Sequence, residues 1–171
     1  MDEKQKPSLS FFHPIKFIGT WFGVGLAPYA AGTCASIAAL PFAWVIQTCF
    51  GSVALFIASI LVFILGVILC NLYAPYTDSL DPREMVIDEI SGQWLLLSFM
   101  FPTLSSYITG LVLFRFFDIV KPWPISVADR KIHGGFGVMF DDALAAIYPL
   151  ILFGIVYLCG YGHVIINFLA N

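Results

Sequence analysis

Beyond Lys16, every Asp, Glu, Lys and Arg of this 171-residue chain falls into two short islands. The first holds Asp78, Asp81, Arg83, Glu84, Asp88 and Glu89; the second holds Arg115, Asp118, Lys121, Asp129, Arg130, Lys131, Asp141 and Asp142. Residues 17–77, 90–114 and 143–171 contain none of these four residue types. A water-soluble domain spreads charge over its whole surface, so the uncharged blocks read as membrane and the islands as the places where chemistry can occur. Composition agrees: 11% of residues are charged, against about 25% in soluble proteins. The chain reads as an all-α integral membrane bundle, one domain over residues 1–171 that opens with a polar segment, 1–16.

Other classes are excluded or silent. The net charge of −3 and the lack of a basic stripe argue against nucleic acid as a partner. No apolar segment with a small-residue cleavage site follows Lys4 and Lys6, so no cleaved signal peptide is expected. Cys34, Cys49, Cys70 and Cys159 lack CxxC spacing, sit in apolar segments and read as small buried hydrophobes. Oligomeric state is not legible.

Residues 52–73 make a full span, and residues 34–48 a shorter one, kinked near Pro41 and joined to the next through Phe50-Gly51. Pro102-Thr103, followed by Ser105-Ser106, predicts a turn that divides the next block into limbs of about 86–101 and 104–119. Each limb covers about 24 Å, short of the ~30 Å hydrocarbon core, and the resulting hairpin brings both islands to one membrane face. A last span is expected over about 143–160, giving four or five membrane-embedded helices. All eight Lys and Arg then share one side, which the positive-inside rule makes cytoplasmic. Trp21, Trp44, Trp94 and Trp123 read as interfacial anchors.

If the hairpin forms, Asp88, Glu89, Asp118, Asp141 and Asp142 converge at the membrane surface. Clustered carboxylates repel unless a cation sits among them, and hard oxygen donors select Mg²⁺ or Ca²⁺. Arg115, Lys121, Arg130 and Lys131 suit an anionic, phosphorylated substrate. Thr33 is a natural N-cap for the first span, with Ser36 beside it, and free amides there can hold phosphate; plain capping is the competing reading. Asp141 or Asp142 could likewise be an N-cap, Arg115–Asp118 only a local ion pair, Glu84 a loop residue, and His133 a general acid or merely a solvated side chain. An ion or proton-coupled transporter is the alternative class, although no ionisable group lies at the centre of a span.

Three stretches carry a family resemblance. They are Phe22-Gly23-Val24-Gly25-Leu26-Ala27-Pro28 with Gly32-Thr33 and Ser36; Val86-Ile87-Asp88-Glu89 with Gly92; and Arg115, Asp118-Ile119, Lys121-Pro122-Trp123-Pro124-Ile125 continuing to His133-Gly134-Gly135, Gly137 and Asp141-Asp142. In motif order and length the chain resembles the bacterial phosphatidylglycerophosphatase A proteins. The resemblance implies an Mg²⁺-dependent phosphatase of the inner membrane that removes the terminal phosphate of the phospholipid phosphatidylglycerophosphate. It implies catalytic roles for Asp88, Asp118, Lys121, Asp141 and Asp142, metal ligation by some of these with Glu89, and phosphate contacts from Thr33, Ser36, Arg115, Arg130 and His133.

Overall fold

The computed structural model describes residues 9–77 and 82–170, so Asp78 and Asp81 of the first island lie outside the described residues. The helices are α1 (Pro14–Gly19), α2 (Ala31–Phe50), α3 (Ser52–Tyr73), α4 (Ile87–Leu97), α5 (Leu104–Val120), α6 (Ile125–Lys131), α7 (Gly134–Val156) and α8 (Gly162–Ala170); no strand occurs among the described residues. Three segments, Ala31–Phe50, Ser52–Tyr76 and Gly134–Val164, are long and apolar enough to cross a bilayer. Gly51, at φ 86°, makes the turn between α2 and α3, a conformation open to glycine and costly for most residues.

The lipid-facing surface is written as rows. On α3 the exposed side chains Ile57, Leu61, Ile64, Ile68 and Leu72 recur every three or four residues, and on α5 Ile108, Val112, Phe116 and Ile119 do the same. Such spacing puts each set on one helix face. Contiguous apolar surface of this extent is a liability in water, but it is the ordinary exterior of a membrane bundle.

At the centre stands α4. Nine of its residues, Ile87, Asp88, Ile90, Ser91, Gly92, Gln93, Trp94, Leu96 and Leu97, are buried, and it packs against α2, α3, α5 and α7. A Cβ on Gly92 would lie 2.7 Å from the Phe114 ring and 2.9 Å from the Asp142 carbonyl oxygen, so only glycine lets α4, α5 and α7 approach this closely. The hairpin is confirmed: α4 begins and α5 ends at the same end of the bundle, where Asp88 and Asp118 line one cleft. Thr103 caps α5 by accepting from the Ser106 amide. Gln47 of α2 pins the hairpin turn: its amide nitrogen donates to the carbonyls of Met100 (2.8 Å) and Leu97 (3.2 Å), while its oxygen accepts from the Tyr107 hydroxyl (2.7 Å). At the same end, the Leu169 carbonyl of α8 accepts from Ser106 Oγ at 2.9 Å, which docks the C-terminal helix on the start of α5.

Several expectations are corrected. α2 begins at Ala31 with Ala30 as N-cap and no side-chain cap, so Thr33 lies inside the helix and does not cap it. α7 starts at Gly134, not near residue 143; Asp141 and Asp142 are two turns inside it and cannot be N-caps. Trp21 and Trp94 are not interfacial anchors: both are buried and meet edge to face at 5.7 Å. Cys49 and Cys159 are exposed and only Cys70 is buried, because apolar segments in a membrane bundle also face lipid.

Two predictions follow from this packing. Gln47→Leu orphans the Tyr107 hydroxyl and two carbonyls, at on the order of 1–3 kcal/mol for each group left dry, and thermal unfolding in detergent should show a lower midpoint. Single cysteines replacing Arg83 and Lys131, in a background without the native four, should label from one side of sealed vesicles, and one replacing Phe50 from the other. Labelling of Arg83→Cys and Lys131→Cys from opposite sides would contradict the hairpin.

Candidate functional site

Four chain segments deliver the site. The first turn of α4 carries Asp88 and Glu89, whose negative charge also complements that helix N-terminus. The last two turns of α5 carry Arg115 and Asp118, and Lys121 terminates the helix at φ 43° before Pro122, which cannot continue it. The second and third turns of α7 carry Asp141 and Asp142, and the uncapped N-terminus of α2 brings Ala30, Ala31 and Gly32. Together they enclose a cleft of about 510 Å³ whose walls include Asp88, Glu89, Asp118, Lys121, Asp141 and Asp142.

Within it the charges sort into two cation-centred groups and a remainder. Arg115 Nη1 lies 2.7 Å from Asp118 Oδ2 and 3.7 Å from Glu89 Oε1. Lys121 Nζ lies 2.7 Å from Asp129 Oδ1 and also donates to Asp141 Oδ2. Burial alone would pull the Lys121 amine down, but hydrogen bonds to Asp129 and Asp141, reinforced by their charges, outweigh it and the net shift is upward. A raised amine stays protonated through neutral and mildly alkaline pH, so this clamp loses its positive charge only above the ordinary lysine range. The remainder, Asp88 and Asp142, gathers with Glu89 into an acidic trio: one oxygen from each of the three lies within 4.8 Å of the other two. Glu89 Oε2 and Asp142 Oδ2 are buried without a hydrogen-bond partner in the protein. Three carboxylates this close are mutually repulsive, and their hard oxygens are the donor set of a divalent cation. The trio therefore fits a metal ion; Asp118 and Asp141 flank it and are engaged by Arg115 and Lys121.

Gly32 makes the close approach possible. A Cβ there would sit 2.1 Å from Glu89 Oε1 and within 3.0 Å of both terminal nitrogens of Arg115. The N-terminus of α2 thus rests directly on the Arg115–Glu89 pair, with its free amides at the cleft wall.

The remaining candidates lie elsewhere. Arg130 and His133 line a smaller neighbouring cleft of about 180 Å³, which shares Asp141 as a wall. Thr33 and Ser36 are not on the wall of the main cleft, and Ser36 is fully buried. Sequence reading missed the part played by Asp129, which clasps Lys121. It also missed Arg83 and Glu84, which line the cleft; Glu84 is latched to Lys16 at 3.1 Å and accepts from the Tyr73 hydroxyl. Lys16 and Tyr73 lie far from Glu84 in sequence, so no local pattern could have shown this.

Gly32→Ala tests the geometry. Overpacking costs about 1–3 kcal/mol, so its thermal midpoint should fall. Gly154→Ala, where a Cβ meets nothing within 4 Å, should be neutral or slightly stabilising. Equal midpoints in the two variants would mean that Gly32 does not hold this contact.

A family model described as "Phosphatidylglycerophosphatase A" matches residues 17–157. An Escherichia coli (strain K12) protein named phosphatidylglycerophosphatase A is 35% identical over 157 residues, covering 91% of this chain and 89% of the relative. A Haemophilus influenzae protein of the same name is 38% identical over 146 residues, covering 84% and 89%. A Bacteroides thetaiotaomicron protein with the provisional name phosphatidylinositol-3-phosphatase is 34% identical over 157 residues, covering 84% and 93%. No solved structure matches.

Proposed function

The chain belongs to the phosphatidylglycerophosphatase A family, and from that premise we propose that it hydrolyses the terminal phosphomonoester of phosphatidylglycerophosphate in an Mg²⁺-dependent reaction at the cytoplasmic face of a bacterial inner membrane. The observation that carries the reading is the acidic trio of Asp88, Glu89 and Asp142 at the open end of a membrane bundle, with two cations and a helix N-terminus beside it. The basic residues among the described segments gather at that same end, which supports the cytoplasmic orientation.

In the reaction a water oxygen adds to phosphorus while the bond from phosphorus to the glycerol oxygen breaks. The water loses a proton, the alcohol gains one, and phosphatidylglycerol and inorganic phosphate result. Asp88, Glu89 and Asp142 would hold the divalent cation, which would supply neutralisation of phosphate charge and a more acidic water. Asp118 and Asp141 act as its flanking carboxylates, each held by a cation. Arg115 and Lys121 keep positive charge beside the phosphoryl oxygens, where charge in the transition state is spread. The amides at the start of α2 would add donors for the same oxygens, and Arg83, which also lines the cleft, would meet the second phosphate of the lipid. Arg130 and His133, on the adjoining cleft, would receive the departing phosphate.

The experiment is phosphate release from phosphatidylglycerophosphate by the purified protein in mixed micelles, with phosphatidylinositol 3-phosphate as the competing substrate. EDTA should abolish turnover and Mg²⁺ restore it. Asp88→Asn and Asp142→Asn should insert normally but lose turnover on the order of 10²-fold or more, the scale of a lost preorganised electrostatic contact. Asp118→Asn and Asp141→Asn should fall similarly, whereas Asp129→Asn, whose side chain is exposed, should lose only several-fold. Near-parent turnover in the Asp88 and Asp142 variants together would overturn the metal assignment. Activity in stripped protein under excess chelator would do the same.

A further inference from the structure

Gln93 and Ser36 are left unexplained by the site as described. Both are fully buried, at 0% exposure. Neither amide atom of Gln93 nor the Ser36 hydroxyl has a hydrogen-bond partner in the protein, an arrangement that costs stability unless something else satisfies the groups. Helix register sets the two at matching depth on helices that pack together. Gln93 follows Glu89 by four residues on α4, which puts it on the same face one turn deeper. Ser36 follows Gly32 by four residues on α2, and Gly32 is where Glu89 and Arg115 press against that helix. The Trp94 indole donates to the Ala39 carbonyl at 3.0 Å, which fixes α2 and α4 side by side at the next level down. Just above, Glu89 Oε2 and Arg115 Nε are likewise buried without partners.

We infer that this seam between α2, α4 and α5 is a binding site for ordered water, through which Gln93 and Ser36 position Arg115 and Glu89, the latter a member of the carboxylate trio. The chemistry of the lining selects the occupant. A bare cation would face the Arg115 guanidinium and an amide NH₂, and an anion would face the Glu89 carboxylate. A neutral molecule that both donates and accepts suits the mixture of donors (Arg115 Nε, Gln93 Nε2) and acceptors (Glu89 Oε2, Gln93 Oε1), with Ser36 able to do either. Buried water needs two to four such partners. Gln93 and Ser36 are thus positioning residues that act through Arg115 and Glu89.

The test is a double-mutant cycle on the full-length purified protein with Ser36→Ala, Gln93→Met and the pair. If the seam holds water, each single variant lowers the thermal midpoint by several degrees. The double variant then loses less than the sum, because both side chains share the bridge. Turnover of phosphatidylglycerophosphate at saturating Mg²⁺ falls about tenfold in Gln93→Met, with KM changed less than twofold. Midpoints that stay level or rise, additively and with parent turnover, would overturn the inference, since that is how dry, unsatisfied groups respond to apolar replacement. An experimental map showing Gln93 and Ser36 bonded directly to each other, with no solvent between the helices, would overturn it too. The kinetic arm rests on the functional reading above, but the thermal arm does not. A parent protein inert toward this lipid would defeat that reading and leave the seam to be decided by the cycle.

Discussion

The depth at which α4 is held governs everything at the cleft. With 11 residues this helix is about 16 Å long and cannot cross a bilayer by itself. Its C-terminal carbonyls would therefore end inside hydrocarbon, where unsatisfied backbone groups are not tolerated. Gln47 resolves this by donating to Leu97 and Met100 from α2, with Tyr107 of α5 holding the Gln47 oxygen in place. Four neighbouring helices cover the rest. With the inner end pinned, the outer end is fixed as well, and Asp88 and Glu89 emerge at the mouth of the bundle.

Once those carboxylates are set, the electrostatics of the mouth follow. Arg115 is shared by Asp118 and Glu89, and Lys121 by Asp129 and Asp141. Among the described residues the cleft gathers more acids than cations, and the carboxylates of Asp88, Glu89 and Asp142 meet within 4.8 Å of one another. Repulsion in such a cluster is what a divalent cation relieves. The two cations are themselves held at fixed positions by acids, which preorganises them and limits the reorganisation needed when a phosphate arrives.

Much of this could be read from the residues alone. The α3 span, the α4–α5 hairpin and the convergence of the two islands follow from uncharged block lengths and from Pro102-Thr103, because bilayer thickness converts sequence length into geometry. Helix starts were less legible. Gly134-Gly135-Phe136-Gly137 looks like a loop by composition, yet it forms the first turn of α7, with Gly135 packed against the Val67 carbonyl; tertiary packing overrides weak propensity. For the same reason the capping readings of Thr33 and Asp141 failed once the true starts lay two and seven residues upstream. Pairings such as Lys121–Asp129 and Lys16–Glu84 depend on loop paths that no periodicity encodes. Gln93 drew no notice because a lone glutamine among apolar residues carries no pattern.

The bundle beneath the cleft also bears on what can pass through it. Below the acids lie Trp94, Leu96 and Leu97 of α4, packed with Ala39, Ala43 and Leu55, and then the Gln47–Tyr107 bond. A transporter needs a polar route from the site to the far side and a means of opening it. Here the far side is closed by apolar packing and by a hydrogen-bonded turn whose release would strand several polar groups. A site open at one end suits a substrate that never leaves its own leaflet. Leu26, Ala27, Pro28 and Met85 form the less polar part of the wall, alongside exposed Phe22 and Tyr29. A phosphorylated headgroup can reach the acids past this rim while its acyl chains stay in the membrane. Only the headgroup is then desolvated, which keeps the cost of binding confined to the groups that the cleft is equipped to pair.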